Sequence, residues 1–286
     1  IVHTHSPYAT SWAQAGSPIP CFGTTHADFW NDKIPITRKL KKKEIEGHYE
    51  KNTGLVIIET LEKLNTTPSN CPGILVNNHG VFTWGDTSYE SYINSLEVIE
   101  VASQYIEDKI IERGAVFGGQ KMNSLEKTKR ESQASILAPI LRGLCSSEQN
   151  MIGHFTDDTK VLEFINSNDL NRLAPMGTSC PDHFLRTKIK PLILALDPED
   201  DLMDASAVLE KITPSFEQYR KDYQEYYDSC KRSDSPAIRD ANPVVILYPG
   251  VGMFTFAKNK QTARAVSYTH LRAHETVLDL VCRLLL

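Results

Sequence analysis

Two histidines stand one residue apart at the start of the chain, in IVHTHSPYATSWAQAG. His3 and His5 fall in a strand-type alternation of apolar and polar residues. Side chains at i and i+2 of a strand share a face, roughly 6.5 Å apart along it. Two imidazoles so placed can grip one metal ion, imidazole being the commonest metal ligand. A third ligand has to come from another strand end. His79, in GILVNNHGVFTWG, meets that need: an apolar run delivers it, and Gly80 beside it permits close backbone approach. Three histidines would form an open site of the catalytic kind, with a coordination position left for substrate or water.

The other six histidines stand singly, and a lone histidine is more often a hydrogen-bonded structural residue than a ligand. Two acids are candidates for proton transfer. Asp28 lies in TTHAD, a polar stretch flanked by aromatics, where a shielded carboxylate can be tuned as an acid or base. Glu50 sits in a charge-rich helical stretch, where a solvated face is the ordinary reading. The six cysteines form no CxxC pair and no tight cluster, which points to reduced thiols in a cytoplasmic protein and gives no support to zinc-finger ligation. Gly250-Val251-Gly252 invites a dinucleotide reading. That fingerprint needs Gly or Ala three residues after its second glycine, at the opening of a helix; Thr255 stands there, inside a strand-like FTFA run. A turn between strands is the better account.

These residues need elements to hold them. IVHTH reads as a strand, YATSWAQA as a helix stopped at Gly16, and IPCF as a second strand. KKKEIEGHYEKNTGLVIIETLEKL reads as mainly helical, with room for a break at Gly54. GILV and GVFT read as two strands around the His79 turn. The next helix is the best marked: Thr87 and Glu90 can form a capping box, and Gly114 sits where a C-terminal cap belongs. Between them Ile93, Leu96, Ile99, Ala102, Ile106 and Ile110 recur with helical period. Further on, MIGHF and PLILALD read as strands, and DASAVLEKITPSFEQYRKDYQEYYDSC as a long helix kinked or split near Pro214. VVILYPGVGMFTFA reads as strand, turn and strand. Alternating strands and helices argue for an α/β class. At 286 residues, with 23% charged residues and a net charge of −5, the chain is a poor candidate for nucleic-acid binding, and no apolar run reaches bilayer length.

Taken in order, HTHSPYATSWAQAG, GTTHADFW, IPITR, EIEGHYEKNTG and NNHGVFTWG resemble the class II aldolase/adducin family, and within it the L-ribulose-5-phosphate 4-epimerases, over residues 1–112. The resemblance implies a layered α/β/α fold with a mixed, largely antiparallel sheet, and a homotetramer with active sites at subunit interfaces. It matches His3, His5 and His79 to three zinc ligands, with Mn2+ or another divalent metal as the alternative to Zn2+. It matches Asp28 to a catalytic acid/base, and Thr24, His26 and Glu50 to positions at or near the active site. The implied activity is zinc-dependent retro-aldol chemistry on a phosphorylated ketose: the C3–C4 bond breaks, then an epimerase re-adds the aldehyde on its other face while an aldolase releases it.

Two departures from the epimerase pattern shape the remaining expectations. The family's phosphate loops and an acid near the metal lie upstream of the His-x-His strand, so the chain is expected to be a fragment that binds sugar phosphate weakly or not at all. AVFGGQK stands where the epimerases carry a tail with a second acid/base tyrosine. Residues 115–266 resemble instead the bifunctional rhamnulose-1-phosphate aldolase/short-chain dehydrogenases, through VFGG, LAPILRGL, VLEFINSNDLNRLAPMGTSCPDHFLRTKIKPL and NPVVILYPGVGM. There His183 is a candidate substrate residue, with Arg186 and Lys188 as anion contacts; a structural loop is the other reading. Residues 267–286 resemble a translated adaptor tail, which would leave His270 and His274 without evolved function. The expected organisation is therefore a core at 1–114, an α/β extension at 115–266 and a tail at 267–286. The rival activities are a rhamnulose-1-phosphate-type aldolase half and an adducin-like scaffold without catalysis.

Overall fold

The computed structural model describes residues 1–21, 30, 33–114, 116–147 and 149–275, which divide into two compact units. One is built chiefly on Ile1–Val116, the other on Phe117–Thr178 and Asp182–His274. Both mix helices with mainly antiparallel strands, an α/β class as expected.

In the first unit, strands β1 (Val2–Thr4), β5 (Gly80–Thr83) and β4 (Gly73–Val76) form an antiparallel sheet in the order β1-β5-β4. His3 lies opposite Phe82, and Val76 opposite Gly80 at the turn. A short ribbon pairs β2 (Ile19–Pro20) with β3 (Lys33–Ile34). Beyond it, Ile36 bridges Leu75 and the Thr37 amide donates to the Leu75 carbonyl at 2.9 Å, so this strap runs along β4.

Helix α1 (Pro7–Ala15) ends on Gly16 in the left-handed conformation, the cap its sequence predicts. Helices α2 (Lys42–Glu46) and α3 (Tyr49–Lys63) break at Gly47-His48, while α3 runs straight through Gly54. The long helix α4 (Ser88–Arg113) carries the predicted capping box of Thr87 and Glu90, and Gly114 closes it with φ +68°. Its buried face is shifted from the predicted stripe. Val98, Val101, Ala102 and Ile106 are buried with Ser91, Asn94 and Ser95, while Leu96 is exposed. The shift has a local cause: Asn94 donates to the Trp84 carbonyl at 2.7 Å, and Thr83 donates to the Ser91 carbonyl at 2.8 Å. These bonds hold the small polar face of α4 against the end of β5. Trp12 of α1 donates to the Ala102 carbonyl across the same core.

The second unit packs helices on a four-stranded sheet in the order β6-β9-β8-β7: β6 (Ile152–Thr156), β9 (Gly252–Ala257), β8 (Val245–Tyr248) and β7 (Leu192–Ile193). Only the β7–β8 pair is parallel. All residues of β8 and β9 are buried, and Leu137 and Leu141 of α5 (Lys127–Leu144) join Ile212 and Phe216 of α9 (Ala205–Cys230) in the core. Shorter helices fill the chain between: α6 (Thr159–Ile165), α7 (Leu170–Leu173) and α8 (Pro181–Thr187). The helix α9 runs through Pro214 as one element, so it is not split there. Gly250 lies in the turn between β8 and β9 at φ +80°, and its amide donates to the Asn166 side chain at 2.6 Å. GVG is thus a hairpin turn. The last helix, α10 (Lys260–Glu275), buries Ala263, Val266 and His270.

Candidate metal centre

The three histidines come together in the first unit. Pairing of β1 with β5 sets His3 across from Phe82, and its ring stacks on that phenyl with centroids 3.9 Å apart. His5 follows directly after β1. His79 occupies the turn joining β4 to β5, only 7% exposed. Ring centroids stand 4.6 Å (His3–His5), 4.8 Å (His3–His79) and 5.0 Å (His5–His79) apart. One donor atom from each lies within 4.8 Å of the other two.

The turn is pinned from three sides. The Asn77 amide donates to the Thr37 hydroxyl at 3.1 Å, and the Asn78 amide donates to the Ala13 carbonyl at the end of α1. The His79 amide closes the turn on the Val76 carbonyl at 3.0 Å, with Asn78 in the left-handed region at φ +62°. Asparagine tolerates that conformation better than most residues. Gly80 is required sterically. A Cβ there would stand 2.5 Å from His5 Cδ2 and 2.7 Å from the Thr4 carbonyl oxygen.

The donor set fits a divalent cation. His3 Nδ1 lies 2.9 Å from the Val81 carbonyl oxygen, which can only accept, so Nδ1 carries the proton and Nε2 of the neutral ring keeps its lone pair. His79 Nδ1 lies 2.9 Å from the Tyr49 hydroxyl. Metal-binding histidines commonly have their second ring nitrogen held in this way. Sequence reasoning missed Tyr49. It adjoins Glu50 in EGHYEKNTG, but no spacing rule joins it to a histidine 30 residues away.

The remaining candidates divide among several places. Thr24, His26 and Asp28 lie outside the described residues. Glu50 is exposed in the first turn of α3, beside Tyr49. In the second unit His183 is half-buried on α8, where its carbonyl accepts from Thr187, and Arg186 is exposed. Lys188 follows at φ +60° and is buried. Its ammonium donates to the carbonyls of Asp240 and Asn242, with an Asp240 carboxylate oxygen at 3.8 Å and the Tyr223 ring at 4.9 Å. Burial pushes its pKa down to about 8. Its charge is committed to the 240–242 loop, and Arg186 does not share that position.

Residues 1–106 match the class II aldolase and adducin N-terminal domain, and residues 132–278 match the aldolase class II second domain. The chain belongs to the class II aldolase family. Aldolase- and epimerase-type chemistry is the business of this family, and divalent-metal dependence is general among its enzymes. The second-domain match runs through residue 278 and so takes in part of the segment expected to be foreign. The chain is also similar to the Bacillus subtilis (strain 168) protein named "Uncharacterized oxidoreductase YuxG", at 34% identity over 200 residues. That alignment spans 70% of this chain and 28% of the relative, so the chain covers under a third of the relative's length. Among the described residues, no helix is long and apolar enough to cross a membrane.

Proposed function

We propose that the chain carries the metal centre of a zinc-dependent retro-aldol enzyme acting on a phosphorylated ketose. The observation that carries this reading is the convergence of His3, His5 and His79, with the Nδ1 atoms of His3 and His79 already engaged. A bound zinc ion, or manganese in its place, would supply the Lewis acid that polarises the ketose carbonyl. The chain's own part is to hold three imidazoles within reach of one ion, with His79 buried and His3 open to solvent. The proton at the cleaved bond's oxygen is assigned to Asp28 by the family resemblance, which also matches Thr24, His26 and Glu50 to positions at or near the active site. Homotetrameric assembly and a cytoplasmic location belong to the same proposal.

Two fates of the released aldehyde stand as competing readings. The site motifs around His26 and Asp28 favour re-addition, the epimerase outcome. The resemblance of residues 115–266 to the bifunctional rhamnulose-1-phosphate aldolase/short-chain dehydrogenases, and the lack of the epimerases' tail tyrosine, favour release, the aldolase outcome. Metal analysis of the purified chain tests the common core: zinc is expected in the wild type and absent from His79→Ala. A wild type that takes up no divalent metal returns the chain to the scaffold reading. Two assays separate the fates. One follows dihydroxyacetone phosphate released from rhamnulose 1-phosphate, the other conversion of ribulose 5-phosphate to xylulose 5-phosphate.

A further inference from the structure

The hydrogen bond between Tyr49 and His79 joins two elements that the sequence keeps 30 residues apart, and it differs in kind from the one at His3. A carbonyl fixes the His3 tautomer outright. A phenol does not, because its oxygen can accept from Nδ1–H or its proton can go to an unprotonated Nδ1. Only the first arrangement leaves Nε2 of His79 with a lone pair for a cation.

The position of Tyr49 is built rather than incidental. It is the first residue of α3, and its carbonyl accepts from the Thr53 hydroxyl at 2.9 Å. Asn52, one turn on, donates its amide to the His48 carbonyl and its side chain to the Glu44 carbonyl of α2. The end of α3 that carries the phenol is thereby tied to α2. The other partner, His79, sits in a turn pinned through Thr37 and Ala13.

We propose that Tyr49 is a positioning residue of the metal centre: its hydroxyl oxygen accepts the Nδ1 proton of His79 and so turns Nε2 toward a divalent cation. The inference rests on the metal reading of the three histidines. Removing the oxygen takes away the acceptor that favours the Nδ1–H tautomer of His79, while the aromatic ring stays to fill its place. Tyr49→Phe is therefore expected to weaken zinc binding by about 10- to 100-fold, the usual penalty for losing an outer-shell partner.

The test is a competition titration of zinc into wild type and Tyr49→Phe against a chromophoric chelator. The absorption spectrum of each protein loaded with cobalt(II) and the thermal melt of each in EDTA complete the comparison. The expected result is a weakened affinity and a shifted cobalt ligand-field band, with the metal-free melt unchanged. Equal zinc affinities overturn the inference and leave the metal reading standing. A metal-free melt lowered enough to account for the weakened binding also overturns it, because Tyr49 would then act through stability alone. Wild type that takes up no zinc overturns the metal reading and this inference together. Long-range 1H–15N correlation spectra of the zinc-loaded wild type give an independent check, requiring no variant. Nδ1–H on His79 is the expected tautomer, and Nε2–H refutes the role.

Discussion

Gly80 shows how little room the site leaves at the level of single atoms. Its missing side chain is the space that His5 Cδ2 and the Thr4 carbonyl occupy. Gly80→Ala must move the His5 ring or part β1 from β5. Overpacking of this kind costs about 1–3 kcal/mol. The expected outcome is a lowered denaturant midpoint together with zinc affinity reduced by about 10-fold or more, since a displaced ligand cannot reach the cation that the other two hold. Urea titration and a zinc competition assay check the two parts separately. An alanine variant with wild-type zinc affinity would show that His5 is not a ligand. Residue types and local spacing are enough to single out His3, His5 and the glycine. Tyr49 is not legible in that way, because nothing in a phenol's local sequence says which histidine it will meet. Lys188 is readable as a cation but not as a buried one, since its partners at Asp240 and Asn242 lie more than 50 residues away.

At the level of elements, Arg38 holds the region that delivers Tyr49. Its guanidinium takes both oxygens of Glu44 at 2.8 Å and reaches Glu59 at 2.9 Å, clamping the start of α2 to the middle of α3. The hydrogen bonds from Arg38 hold both carboxyls down, each from about 4.5 to about 2, with the Lys41 amide also acting on Glu44 and Lys63 on Glu59. The folded state thus binds these protons less readily than the unfolded chain. The stabilisation is fully present above the unfolded value of about 4.5, and it fades as pH falls through the folded value near 2. Arg38→Met should therefore lower the urea midpoint at pH 6 and make little difference at pH 2. A difference that stays constant with pH would remove the clamp from the account. Helix ends proved easier to read than helix faces. The caps of α4 at Thr87, Glu90 and Gly114 follow from local chemistry, whereas its buried stripe depends on what Asn94 and Ser91 meet across space.

For the molecule as a whole, a metal centre in one unit acts on stability by mass action: a ligand that binds only the folded state at 100 times its dissociation constant adds about 2.7 kcal/mol. Zinc should raise the melting temperature of the unit built on Ile1–Val116, and EDTA should reverse the rise. His79→Ala should respond to neither, as differential scanning calorimetry with and without metal will show. What the sequence determined by itself was local or periodic: two histidines one residue apart at the first strand, the capping residues of α4, the hairpin turn at Gly250, the α/β alternation and the family motifs. The tertiary structure decided the rest. It placed His79 beside His3 through the β1–β5–β4 register, set Tyr49 against it through α3, and turned Lys188 inward. The physical reason is range. Strand period and cap chemistry are settled within a few residues, whereas a contact between residues 3 and 79 exists only when the chain has reversed and every strand between them has found its partner.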